Sequence, residues 1–185
     1  METVCMQETR RRITEAAVEL HGTVGPARTT VSAVAERAGV QRHTLYRHFP
    51  DDDALLAACS HRWAELNPLP DQEGWRAVED PVERLETGLG ELYGWYEQTE
   101  PMLVNLYRDA PLVEAVATQM RPLHAYVGEA AGTLASGWPS RRKVLKAAVR
   151  HAVDFHTWRS LARTGGVSRA QAVALARGMV ESAAR

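Results

Sequence analysis

Seven of the eight residues from Gln41 to His48 can donate or accept hydrogen bonds: Gln41, Arg42, His43, Thr44, Tyr46, Arg47 and His48. Leu45 is the exception, and it stands four residues before Phe49, so one helical face would be apolar and the other almost wholly polar. A guanidinium can bond guanine O6 and N7 together, and a carboxamide can do the same for adenine. Hydroxyl donors on such a helix suit phosphate oxygens, which set register and not sequence. The chemistry on offer is recognition of a nucleic acid and not bond-making: no HExxH, paired CxxC, GxSxG or Walker loop accompanies it.

That face needs a scaffold, and the preceding residues supply one. In TTVSAVAERAGVQRHTLYRHF, residues 29–49, Val31, Val34, Ala35 and Ala38 recur at i, i+3, i+4 and i+7. Thr30 is placed to cap the start of this first helix, and Gly39 to end it in a left-handed conformation. Helix, glycine turn, polar-faced helix is the layout of a DNA-reading helix-turn-helix, with Gln41, Arg42 and His43 at the end that enters the major groove. Leu45 and Phe49 are expected to tie the motif to an earlier helix, about residues 8–21, through its stripe Ile13, Ala16, Ala17 and Leu20.

The segment AVAERAGVQRHTLYRHF resembles the DNA-binding signature of the tetracycline-repressor (TetR) family of bacterial regulators, over roughly residues 8–59. The resemblance implies an all-α chain: a three-helix reading domain (1–50) followed by a helical ligand-binding and dimerisation domain (51–185), with 141–185 as a dimer bundle. It also implies that Thr44, Tyr46 and His48 hold phosphates. One departure stands out. Where relatives often place a basic residue after the HF ending, this chain has Asp51, Asp52 and Asp53, which suit a helix N-terminus but cannot hold phosphate.

Bulk properties leave room for this reading. A net charge of −1 and 45% hydrophobic residues over 185 residues fit a globular protein, not a polybasic coat. Residues 1–50 hold seven Arg against five Glu, a mild positive bias. Arg28 and Thr30 are candidate phosphate donors beside Gln41–His48. Arg10, Arg11 and Arg12 read either as a second phosphate clamp or as a solvated run. Cys5 and Cys59 lack metal or redox spacing, no apolar stretch reaches the ~20 residues of a membrane span, and no leader pattern begins the chain, so a reduced, cytoplasmic setting is expected.

Beyond residue 50 the pattern is helical. A helix is expected over 52–66, then a loop across NPLPDQEGWRAVEDP. Leu85, Leu89, Leu92 and Tyr96 mark a helix interrupted by glycines, with a separate short helix after Pro101. Val113 to Leu134 marks a long one broken near Pro122. Tyr93, Trp95, Tyr96, Met102, Tyr107, His151, Phe155 and Trp158 are the candidate lining of a pocket for a small hydrophobic or aromatic effector, or else an ordinary core. One helix from Arg141 to Arg163 and another after Gly166 carry Val144, Leu145, Ala148, Ala152, Val173, Ala176, Met179 and Val180, expected at a homodimer interface. His151 and Asp154 share a face, and a His–Asp hydrogen bond is expected there. No cofactor or metal is called for.

The expectation is a homodimeric repressor released from an inverted-repeat operator by a small molecule. A ligand-independent regulator or activator is the alternative, and a small helical enzyme using His151 and Asp154 a remote one.

Overall fold

In the computed structural model, which describes residues 2–138 and 143–185, every regular element is helical. The chain forms two compact units, residues 1–68 with 99–121, and 69–98 with 122–185. By packing, the first unit therefore extends past the division expected at residue 50, and it includes a segment more than thirty residues further on.

In the first unit, α1 (Glu2–Thr23), α2 (Val31–Ala38), α3 (Arg42–His48) and α4 (Asp52–Leu66) are joined by the end of α6 (Pro81–Asp109) and by α7 (Glu114–Gln119). Ile13, Ala17, Val34, Leu45, Phe49, Leu55, Cys59 and Val116 form one buried cluster, so each of the expected inward stripes meets the others. Asp51 caps α4 by accepting from the Ala54 amide at 2.8 Å. The triple aspartate thus does what a helix start requires.

In the second unit, α5 (Gln72–Arg76) lies inside the stretch expected to be a loop. The expectation misjudged Trp75: fully buried, with its Nε1 donating to Glu91 at 2.8 Å, it gives a five-residue helix enough to hold on to. Arg84 is also buried and bonds the Val78 carbonyl, the Ser136 carbonyl and the Ser136 hydroxyl. Of the three glycines in the early part of α6, Gly88 has a packing reason, because a Cβ there would stand 2.6 Å from Leu134.

Two helix boundaries differ from expectation. Helix α6 runs without interruption through Pro101, which is exposed. Proline forfeits one backbone hydrogen bond there, but Met102, Leu103 and Asn105 are buried directly after it and keep the helix going. Conversely, the single helix expected over 141–163 is broken. Arg141 lies outside the described residues. Helix α9 (Lys143–Ala152) ends, Asp154 caps α10 (Phe155–Arg159) by accepting from the His156 amide at 2.7 Å, and a π-turn covers Ser160–Thr164. Helix α8 (Arg121–Ala135) puts Pro122 in its first turn, where the missing N–H is not needed. Helix α11 (Arg169–Ala184) starts with a Ser168–Gln171 capping box and packs on α9. No described helix is long and apolar enough to cross a membrane.

Candidate nucleic-acid interface

The turn between α2 and α3 is built from both ends. Thr30 Oγ1 accepts from the Ala33 amide at 3.1 Å, opening α2. Gly39 closes it at φ 65°, ψ 40°, and a Cβ there would come within 2.9 Å of the Arg12 guanidinium. Arg12 donates to the carbonyls of Ala38 and Gly39, groups the helix leaves without internal partners. Arg10 lies over the Phe49 ring, 4.1 Å from its centroid, and donates to the His48 carbonyl at 2.5 Å. Arg11 pairs with Glu8 and Glu15. The arginine run of α1 is therefore engaged within the fold, with Arg12 fastening the turn and Arg10 the end of α3. The clamp reading loses its main support.

The contrast with α3 is direct. Leu45 is 1% exposed, whereas Gln41, Arg42, His43, Tyr46 and Arg47 are exposed and Thr44 and His48 half-buried. Among the described residues, the side chains of Gln41, Arg42, Tyr46 and Arg47 make no hydrogen bond or ion pair; His43 and Thr44 meet only each other, at 3.4 Å. Burial, reinforced by the charges of Arg47 and Arg10, holds His48 below the usual histidine range.

Arg28 is exposed at the end of a 3-10 turn, Pro26–Arg28, whose anchorage comes from far along the chain. Asp109 Oδ2 accepts from the Ala27 amide at 3.0 Å, and Arg108 chelates Asp109 through Nε at 2.6 Å and Nη2 at 3.0 Å. Arg108 also donates to the Val24 carbonyl at 2.9 Å, and Asn105 Nδ2 to the carbonyls of His21 and Gly22 at 2.9 and 3.0 Å. The last carbonyls of α1 are thus capped by the end of α6. The Arg108 guanidinium, opposed by burial, holds the Asp109 carboxyl below its ordinary range. Gly25, buried at φ 95°, makes the approach possible: a Cβ would lie 2.0 Å from Arg108 Nη2 and 2.5 Å from Asp109 Oδ2. Gly25, Asn105, Arg108 and Asp109 escape sequence reasoning. Gly25-Pro26 signals only a turn, and no local pattern links Asp109 to a partner 82 residues away.

The expected effector residues fall into both units. Met102 and Tyr107 belong to the first, where Tyr107 packs on the core and Met102 approaches Gly22. In the second, Tyr93, Trp95, Tyr96, Phe155 and Trp158 are buried together, with Tyr96 5.4 Å from Phe155 and 5.6 Å from Trp158 between ring centroids. Tyr93 and Tyr96 donate at 2.7 Å to the carbonyls of Ala152 and Val153, where α9 breaks. The Trp158 Nε1 donor, by contrast, is buried without an acceptor among the described residues. His151 is exposed and meets Thr157 Oγ1 at 3.2 Å. The expected His151–Asp154 bond does not form, because Asp154 spends its carboxylate capping α10.

Of the expected interface residues, Leu145, Ala148, Ala152, Val173, Ala176 and Val180 are buried within the chain, Met179 is half-buried and Val144 is exposed. Two other stripes face outward: Val144, Ala147 and His151 on α9, and Gln171, Leu175, Gly178 and Ser182 on α11.

A buried-faced helix, a left-handed glycine turn and a second helix offering unpaired donors define a helix-turn-helix protein of the DNA-reading class. The comparisons agree over this segment: residues 13–59 match the family described as bacterial regulatory proteins, tetR family. The HTH-type transcriptional regulator SrpR of Pseudomonas putida is 37% identical over 79 residues, 39% of this chain and 37% of that protein. The match thus spans little more than a third of that relative's length. A TetR-like transcriptional regulator from Rhodococcus sp. RHA1 shares the fold at TM-score 0.66 and 20% identity, over 94% of this chain and 93% of that one. FadR from Bacillus subtilis, solved with stearoyl-CoA, does so at TM-score 0.60 and 18% identity, over 94% and 96%.

Proposed function

We propose that this protein is a homodimeric, cytoplasmic transcriptional repressor that binds an inverted-repeat operator and leaves it when a small apolar effector binds. The observation that carries the reading is the outer face of α3, where Gln41, Arg42, Tyr46 and Arg47 have no side-chain partner among the described residues while the arginines of α1 all do. Gln41, Arg42 and His43 would read base edges; Thr44, Tyr46 and His48, with Arg28 and Thr30, would hold phosphates, and Arg47 either. Residues 1–50 form the reading head in this proposal, and residues 51–185 carry effector and dimer contacts.

The dimer would use the outward stripes of α9 and α11, since the inward ones are consumed within each chain. Ala147, Gly178 and Ser182 would allow close approach of a second copy there, and two heads would then meet successive major grooves, ~34–36 Å apart. For the effector, the aromatic cluster of the second unit supplies an apolar surface, and the orphan Trp158 donor would receive an oxygen of the ligand. The complex of FadR with stearoyl-CoA shows one protein of this fold taking an acyl thioester. Release requires only that the effector bind the two dimer geometries with different affinity.

The test is selection of bound duplexes from a random pool at fixed salt, on which affinity depends steeply. The proposal expects an inverted repeat. Arg42→Ala should relax preference at one position per half-site, by about 1–3 kcal/mol, and Tyr46→Phe should weaken all sequences alike. Identical preferences for wild type and Arg42→Ala would overturn the base-reading assignment.

A further inference from the structure

We propose a second small-molecule site inside the DNA-reading unit itself: a cavity that accepts a small primary ammonium carried on an apolar body. It occupies about 150 Å³ among the end of α1, the 3-10 turn, α2, the start of α4 and α7. A cavity of roughly 150 Å³ accommodates a benzene-sized molecule. Val34, Leu56 and Val116 supply apolar wall, and the acidic residues Asp52 and Asp53 belong to the lining.

The buried polar group of the lining is His21, 8% exposed. The Cys59 thiol donates to the Leu56 carbonyl at 3.1 Å, so its sulfur is left to accept from His21 Nδ1 at 3.3 Å. That assigns the proton to Nδ1 and leaves Nε2 as a lone-pair acceptor, with no hydrogen-bond partner among the described residues. Burial, opposed by Asp109, lowers the imidazole pKa to about 4, which keeps this acceptor neutral at pH 7. A solvent-accessible acceptor with no protein partner among the described residues and two acidic residues suit a donor-rich cationic head, and the hydrocarbon wall an apolar tail.

Occupancy would bear on DNA reading because Thr30, the cap of α2, and Thr29 belong to the same lining. That consequence rests on the regulator proposal; binding does not. The test therefore reads binding first, by amide chemical shifts of the full chain titrated with benzylamine, a benzene ring bearing one methylene and an ammonium. Saturable shifts should cluster at Thr29–Val34, Asp52–Leu56 and Val113–Val116. Benzyl alcohol, the neutral counterpart, should bind at least tenfold more weakly. The D52N/D53N pair, exposed and leaving the Asp51 cap intact, should lose at least tenfold in affinity, and Ala115→Phe, which narrows the cavity from a half-buried position, should abolish the shifts. Equal binding of amine and alcohol, an unchanged affinity in D52N/D53N, or shifts centred elsewhere would overturn the proposal. Operator release is measured separately, so a protein that binds benzylamine here but never a defined operator would refute the regulator reading and leave the site standing.

Discussion

Asp109→Asn probes the junction on which the reading head depends. The carboxylate accepts three hydrogen bonds, one from the Ala27 amide and two from Arg108. Asparagine keeps one acceptor oxygen and turns an NH2 group toward either the guanidinium or the amide. A charge-assisted bond contributes about 1.5–3 kcal/mol, and breaking a fully buried ion pair costs about 3–5 kcal/mol. Arg108 is 37% exposed, so water takes over much of its charge, whereas Asp109 is 1% exposed. The lower range therefore applies, about 2–3 kcal/mol. Hydrogen exchange at the Ala27 amide reads this locally: protection should fall about 30- to 140-fold, taking 1.4 kcal/mol as tenfold. Because the turn bearing Arg28 loosens while α3 is untouched, operator affinity should drop for all sequences alike with base preference unchanged. Ala27 protection within about twofold of wild type would show that the Asp109 bonds do not fix the turn, and the positioning argument would fail.

Three further outcomes follow from the same geometry. Gly25→Ala should cost roughly 3 kcal/mol in urea unfolding, from the positive φ and from crowding of Arg108 and Asp109, and a loss below about 1 kcal/mol would contradict the contact. Burial, opposed by Asp109, lowers the pKa of His21 from 6.5 to about 4, so its contribution is complete above pH 6.5 and is lost as pH falls toward 4. That loss amounts to about 3 kcal/mol, and the unfolding profile of His21→Gln should be flatter than wild type across this window; parallel profiles would refute it. Leu175→Glu, at a 54% exposed position, should leave the folded chain within about 0.5 kcal/mol of wild type yet give monomers in sedimentation. A dimer that survives it would exclude the outward stripe of α11.

The helix-turn-helix was legible because its determinants are local. Thr30 caps three residues on, Gly39 ends α2, and Leu45 and Phe49 share a face by spacing alone. Where a local rule met a non-local competitor, the reading failed. Pro101 should end a helix, but the buried residues after it carry α6 onward. Trp75 made a helix of an apparent loop, and Asp154 made two helices of an apparent one.

The same division separates the two parts of the candidate site. The sequence alone determined which residues present donors, since the period of 3.6 places His43, Tyr46 and Arg47 away from Leu45 and leaves Gln41 and Arg42 at the start of the helix. It could not determine which donors stay available, because that depends on what the rest of the chain offers them. Only tertiary structure matched the α1 arginines to the carbonyls of Ala38 and His48. Only it brought Asp109 to Ala27 and set the apolar stripes of α9 and α11 against each other, leaving Val144 and Leu175 outward. Periodicity fixes the direction of a side chain about its own helix; which surface meets it is decided by contacts between residues far apart in the chain.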